Sequence, residues 1–432
     1  MASTYLTKTF GSHGDRTKWT YSAWIKRSGL GSSTSLIGVG SGSNQEHIYF
    51  SSDKIHWWIW TADAYKGRLT TNRLFRDCSA WYHLVFRFDS SNSTGGDRMR
   101  MYVNGVEETS FEHDINPDAD RESWINSTTQ QQIGASGNGS SPFDGYMSHI
   151  NFADGQSLAP TEFGETDSNG VWKIKTSPSI TYGDNGYFIL KNGNSVTDQS
   201  GEGNNFTVAA GTLTNDKDNP SNVFCTMNPL DNYWQGSTFA NGNTTFTIPA
   251  SKETYNTSTL AIPSNDAGKY YCEVKVVDAS AYTLIGLTDR TPQSATDKFN
   301  GQGYGYAYDG YNGNSWNNDS SSSYGNSYTT NDIIGIAVDT DNNKLYFSKN
   351  GTWQNSGVPT SGSTGTGALS LSATPTQGHY FFAGGNRHND DTQLSWNFGN
   401  GYFGTTAVSS AGTNASNNGV FEYDVPTGYT AL

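Results

Sequence analysis

Four carboxylates crowd one short stretch of the sequence, VEETSFEHD: Glu107, Glu108, Glu112 and Asp114. Hydrolysis of a glycosidic bond needs two carboxyl groups about 5–9 Å apart across a sugar-binding cleft. These four follow directly on Asn104-Gly105, a turn signal, which places them on a surface loop rather than along one strand lining a cleft. His47, His56, His83, His149, His379 and His388 are scattered without metal-ligand spacing, and nothing in the sequence points to a Ser–His–Asp triad. His56 and His83 fall inside strand-like runs, where a hydrogen-bonded structural imidazole is the simpler assignment. The three cysteines, Cys78, Cys225 and Cys272, are odd in number and far apart. That argues against a disulfide framework and against a local thiolate zinc motif. No catalytic residue and no metal ligand is assigned, and the chain is expected to be non-enzymatic. Calcium is the one cofactor kept in view. The loops DSSNSTGGD (Asp89–Asp97) and HDINPDAD (His113–Asp120) carry the hard oxygen donors it prefers, though acidic β-proteins also show such loops without metal.

The aromatic residues suggest binding rather than catalysis. In HWWIW (His56–Trp60), Trp57 and Trp58 must point to opposite faces of a strand. One belongs to the core. The other, taken here as Trp58, faces outward, where it can lie under a loop, stack on a sugar ring or fill a partner interface. GYGYAYDGYNGNSWNND (Gly303–Asp319) is the richest candidate surface of the C-terminal half. Tyr304, Tyr306 and Tyr308 share one face, and Tyr311 and Trp316 lie in the loop that follows. Tyr and Trp among Gly and Asn are the residues of adaptable binding loops. The candidate recognition surface is therefore Trp58, Tyr308, Tyr311 and Trp316, joined by the flexible-looking loop Ser361–Gly367. The three tyrosines as core residues remain the open alternative.

The elements that must position these residues are strands. In DIIGIAVDTDNNKLYFSKNGTW, Ile334, Ile336 and Val338 alternate with small residues, and Leu345 and Phe347 alternate after a polar insert. WYHLVFRFDSSNSTGGDRMRMYVNGV repeats the scheme earlier in the chain, again ending in Asn-Gly. No stretch carries a helical stripe, so an all-β protein is expected. At 432 residues there is chain for two or three domains. We expect a β-domain over 1–155, an irregular but ordered connector over 156–230, a second β-domain over 231–404 and a C-terminal tail over 405–432. The 12 Trp, 25 Tyr and 21 Phe exclude a disordered acidic chain. A formal net charge of −14 without a basic stripe excludes nucleic acid as a partner. No apolar run approaches a membrane span, and no signal peptide is expected from the N-terminal residues.

GKYYCEVKV (Gly268–Val276), IIGIAVDTDNNKLYFSKNG (Ile333–Gly351), YFFAGG (Tyr380–Gly385) and WNFG (Trp396–Gly399) together resemble a SPRY domain. YSAWIKR, WYHLVFRFD, MRMYVNGVEE, QQIGA and FDGYMSHINF resemble, in that order, the LamG/concanavalin A-like lectin and glucanase superfamily. The resemblance implies two antiparallel β-sandwiches, a concanavalin A-like jelly roll and then a SPRY-like sandwich. Laminarinase-like members carry catalytic carboxylates in an E-x-D-x-x-E pattern, which residues 1–155 lack. DQSGEGNNFT followed by NPSNVFCTMNPLD is similar to the connector of structural proteins of tailed phages of aquatic bacteria, such as cyanophages. That resemblance implies a virion protein assembled in the host bacterial cytoplasm: a tail fibre, appendage or surface component that recognises protein or glycan at the host surface. Its expected partners are other virion proteins, a host surface glycan or receptor, and further copies of itself. The alternatives are a capsid decoration protein and a secreted carbohydrate-binding lectin or glucanase-like protein.

Overall fold

The computed structural model describes residues 4–191, 195–279, 282–388 and 391–432. The chain divides into two compact units. One runs to Asn215 and takes in Asn219–Ser221; the other comprises Asp216–Asp218 and Asn222–Leu432. Both are antiparallel β-sandwiches. Among the described residues, no helix is long and apolar enough to cross a membrane.

In the first unit an eight-stranded sheet runs in the order Phe111–Ile115, Ala64–Thr71, Lys54–Thr61, Asn44–Ser51, Thr34–Ser41, Gln131–Ile133, Tyr5–Lys8 and Thr207–Ala210. A six-stranded sheet packs on it, with Lys18–Arg27 between Gly145–Asp154 and Tyr82–Asp89. The strands alternate because one face of each is buried. Ile48, Phe50, Ile55, Trp57 and Ile59 point inward and meet Trp19, Tyr21, Phe86 and Phe88 of the facing sheet. Trp19 and Trp57, one from each sheet, lie 5.5 Å apart.

The second unit has a sheet in which Lys269–Asp278 sits between Thr392–Asn397 and Ile333–Asp339. Its second sheet runs Tyr255–Thr257, His379–Asn386, Thr283–Thr288, Tyr306–Asp309, Asn314–Asn317, Ser320–Ser323. The two Asn-Gly turns take the same shape: φ is 49° and 80° at Asn104-Gly105, and 48° and 79° at Asn350-Gly351. In each, a later aromatic lies where a glycine side chain would be. A Cβ on Gly105 would come within 2.5 Å of the Trp172 ring, and one on Gly351 within 2.6 Å of Tyr423.

The stretch 156–230, expected as a connector, is instead divided between the sandwiches. Tyr187–Ile189 pairs with Ile150–Phe152 at the edge of the six-stranded sheet, and Thr207–Ala210 closes the other sheet beside Tyr5–Thr7. Phe206 is core in the first unit, and Phe224 and Met227 are core in the second. The tail 405–432 is likewise part of its own sandwich: Phe421 and Tyr429 are fully buried there, and Thr430 bonds to Lys269 and Tyr271.

Candidate functional site

The face of the eight-stranded sheet that looks away from the core carries aromatic and polar side chains in register. One cross-strand row reads Ile115, Arg68, Trp58, His47, Gly38 and Gln132. Beside it run Thr70, His56 and Tyr49 on one flank, and Tyr65, Trp60 and Gln45 on the other. Trp58 is half-buried, with His47 at 4.8 Å and Tyr49 and Tyr65 set edge-on at 6.3 and 6.2 Å. The loop Ser136–Ser140 borders this face, and the Gly137 N–H donates to His47 Nε2 at 3.2 Å. Nδ1 of the neutral ring then carries the proton. Burial pushes the His47 pKa down to about 4 and lowers that of His56, so both are neutral at pH 7, and the one N–H of His56 is spent on the Ser51 carbonyl at 3.3 Å. Alternation puts one of Trp57 and Trp58 on this face, and the burial of Trp57 makes it Trp58. It does not place Arg68, His47, Tyr49, Tyr65 and Trp60, because strand register decides which of them become neighbours.

Hydrolytic chemistry finds no support at the groups that come nearest to it. His83 Nε2 lies 2.9 Å from Ser22 Oγ, but the third member is Trp172, whose Nε1–H reaches His83 Nδ1 at 3.0 Å. An indole only donates. Nδ1 is therefore the acceptor, the proton sits on Nε2, and His83 donates to Ser22 instead of taking its proton. Burial also drives the His83 pKa down to about 3. Three of the four carboxylates of VEETSFEHD are held by cations, Glu107 by Arg100 at 3.3 Å, Glu108 by Arg73 at 2.8 Å and Glu112 by Lys54 at 2.5 Å, and Asp114 accepts from the Asn116 amide at 3.0 Å. Lys54 keeps the Glu112 carboxyl below its usual range, the opposite of what a general acid requires. In the loops considered for calcium, Asp89 pairs with Lys18, Asp97 with Arg100 and Asp118 with Arg121. Among the described residues, no three His, Cys, Asp or Glu side chains converge as a metal site. The purified protein is expected to release no reducing ends from β-glucans; turnover abolished by Ser22→Ala or Glu112→Gln would contradict this.

In the second unit the predicted surface residues separate. Tyr308 is not exposed. Its ring packs 5.4 Å from Phe347 and 5.0 Å from Tyr328, and its hydroxyl bonds to the Asn326 carbonyl. Trp316 is half-buried on Tyr255, Leu284, Phe299, Ala307 and Ala383, and its Nε1 donates to Asp309 Oδ2 at 3.0 Å. Asp309 also accepts from Arg387 Nε at 2.9 Å and from the Tyr311 N–H at 2.9 Å. The Arg387 guanidinium lies 4.4 Å from the Tyr282 ring and 5.1 Å from Trp316. Tyr311, 56% exposed, stacks on Tyr282 at 4.8 Å and borders a groove with Tyr328, Thr329 and Lys349. Ser361–Gly367 does not join it. Gly365 lies against Lys344, at the opposite end of the strand Lys344–Lys349, and Pro359–Thr364 forms 3-10 turns tied to Tyr346 through Ser361. Trp316→Ala should therefore lower the unfolding free energy of this unit by about 3 kcal/mol. Tyr311→Ala should change it by about 0.5 kcal/mol or less. Urea denaturation of both variants checks the contrast.

Residues 2–162 match the family model of the concanavalin A-like lectin/glucanases superfamily, and residues 269–379 match that of the SPRY domain. The chain thus carries a concanavalin A-like domain followed by a SPRY domain. No curated protein matches the sequence. Among solved structures, the chain is similar to the SPRY domain of human HERC1, at 14% identity and a TM-score of 0.29, over 38% of this chain and 92% of that one. It is also similar to the native heptameric SAP-like pentraxin from Limulus polyphemus, at 13% identity and a TM-score of 0.30, over 49% of this chain and 87% of that one.

Proposed function

We propose that this chain is a non-catalytic recognition protein of a tailed-phage particle: a tail fibre, appendage or surface component that engages glycan or protein at the host surface. The observation that carries the recognition role is the aromatic outer face around Trp58, where half-buried rings surround the neutral His47 imidazole with its Nδ1–H donor. Aromatic rings with polar groups at their edges suit the faces and hydroxyls of sugars. The Tyr311 end of the second unit supplies a second contact, to another virion protein or a receptor, and Tyr and Trp provide contact area there at modest entropy cost. Placement in the virion is supported by the order of the two domains and by the sequence DQSGEGNNFT…NPSNVFCTMNPLD. The chain is expected to act as a homo-oligomer, since repeated weak contacts with a surface gain strength from multivalency.

Mass spectrometry and immunogold labelling of purified particles test this placement. The expected result is the chain in the particle with gold at the tail. Gold confined to the head would assign it to capsid decoration. Absence from the particle would overturn the virion role and leave a secreted lectin.

A further inference from the structure

The outer face of the eight-stranded sheet contains an arginine that nothing in its surroundings neutralises. Arg68 sits directly across from Trp58 in the strand register. Its guanidinium carbon lies 4.6 Å from the centroid of the Tyr65 ring, and its Nε is buried without a hydrogen-bond partner. No ion pair or hydrogen bond links the Arg68 side chain to any described residue. The nearby Glu112 is taken by Lys54 at 2.5 Å. Arg87, Arg98 and Arg290 also lack a carboxylate, but each hydrogen-bonds to a hydroxyl, carbonyl or amide oxygen, which Arg68 does not. The two terminal guanidinium nitrogens of Arg68 are not among the buried atoms, so they, and not Nε, are the donors an anion can reach.

From this geometry we infer that the Trp58 face takes an acidic saccharide of the uronate type, with a sugar ring against Trp58 and its carboxylate on the Arg68 guanidinium. The inference rests on the glycan-recognition reading above and adds the charge class. A planar guanidinium matches a carboxylate through two parallel N–H donors, which a neutral sugar cannot use. From Arg68 to His47 the row crosses two interstrand spacings, about 10 Å, enough for a short oligosaccharide. His47 Nδ1–H and Gln45 lie along the same face to meet hydroxyls. Charge selects the occupant: a second copy of this acidic chain would bring an excess of carboxylates but no array of sugar rings, whereas a uronate supplies both.

The test titrates the full chain with oligogalacturonate and oligomannuronate, each as the free acid and as the methyl ester. The ester keeps the ring and removes the charge. The expected result is binding at least tenfold tighter for one free acid than for its ester, weakening as salt is raised. Arg68→Gln should abolish that difference at an unchanged thermal midpoint, Arg68→Lys should retain part of it, and Trp58→Ala should lose both acid and ester. Equal binding of acid and ester, or an unaltered Arg68→Gln variant, would overturn the acidic assignment and leave the glycan reading standing. Binding of dextran sulfate but of neither uronate would overturn the carboxylate as the anion. Failure of the folded protein to bind any saccharide would remove both, and a dimer lost in Trp58→Ala would then give the face to a second copy.

Discussion

Trp57→Ala is expected to lower the stability of the first unit by about 3–5 kcal/mol, while Trp58→Ala, one residue on, lowers it by about 1 kcal/mol or less. Trp57 is fully buried between the sheets, 5.5 Å from Trp19 and 5.7 Å from Phe86. Its Nε1 also donates to Glu46 Oε1 at 3.1 Å. That carboxylate is buried and holds the loop at Ser123–Ile125 through the Ser123 hydroxyl and the N–H groups of Trp124 and Ile125. Burial raises the Glu46 pKa, so each donor lost makes the carboxylate harder to keep. Truncating Trp57 therefore opens a cavity and weakens a polar anchor together. Trp58 touches only neighbours on the outer face, and its loss should appear in ligand binding instead. Hydrogen exchange at Lys54–Thr61 with urea denaturation measures both. Equal destabilisation by the two variants would show that the outer face is a packed interior.

Glu273→Ala should destabilise the second unit by about 2 kcal/mol or more, the cost of orphaning two part-buried N–H donors at roughly 1 kcal/mol each together with the space left by the buried side chain. The Glu273 carboxyl accepts the N–H groups of Glu422 and Tyr423, each at 2.8 Å, and the Tyr271 hydroxyl at 3.1 Å. It thus clamps the C-terminal segment whose Phe421 packs 5.0 Å from Tyr271. Burial raises the Glu273 pKa to about 7, with the hydrogen bonds opposing. A carboxyl whose pKa is higher folded than unfolded stabilises the fold when protonated. Its contribution is complete below about pH 4.5 and is lost as pH rises through about 7. Over that window the unit should lose about 3 kcal/mol from this group. Glu273→Gln should remove the slope, though it turns an amide N–H toward a backbone N–H and so still lowers stability. A midpoint for this unit that does not fall between pH 5 and pH 8 in the wild type would contradict the assignment.

What could be read from the sequence was local. The Asn-Gly turns at Asn104 and Asn350 carry their own conformational preference, and the alternation in HWWIW is enough to send Trp57 and Trp58 to opposite faces. NGYFILKNG reads as a strand and holds Tyr187–Ile189, but Thr207–Ala210 was not legible, because four residues show too little periodicity and their partner lies far away in sequence. Tyr308 was misplaced for a related reason: the residue that buries it, Phe347, belongs to another sheet. Ser361–Gly367 looked loose by composition, but Ser361 bonds to Tyr346 and the Tyr429 hydroxyl to the Pro359 carbonyl. Arg68 gave no signal, since an arginine in a strand becomes notable only when its neighbours are known and none is a carboxylate.

On the function proposed above, the outer sheet face around Trp58 is a recognition surface and not a catalytic or purely structural one. The most direct measurement is a glycan array of bacterial surface polysaccharides probed with the wild-type chain and with Trp58→Ala, both shown to be folded. The expected result is a discrete set of bound, uncleaved saccharides for the wild type and loss of that set in the variant. Identical binding by the two proteins, or cleavage of the bound saccharides, would contradict it.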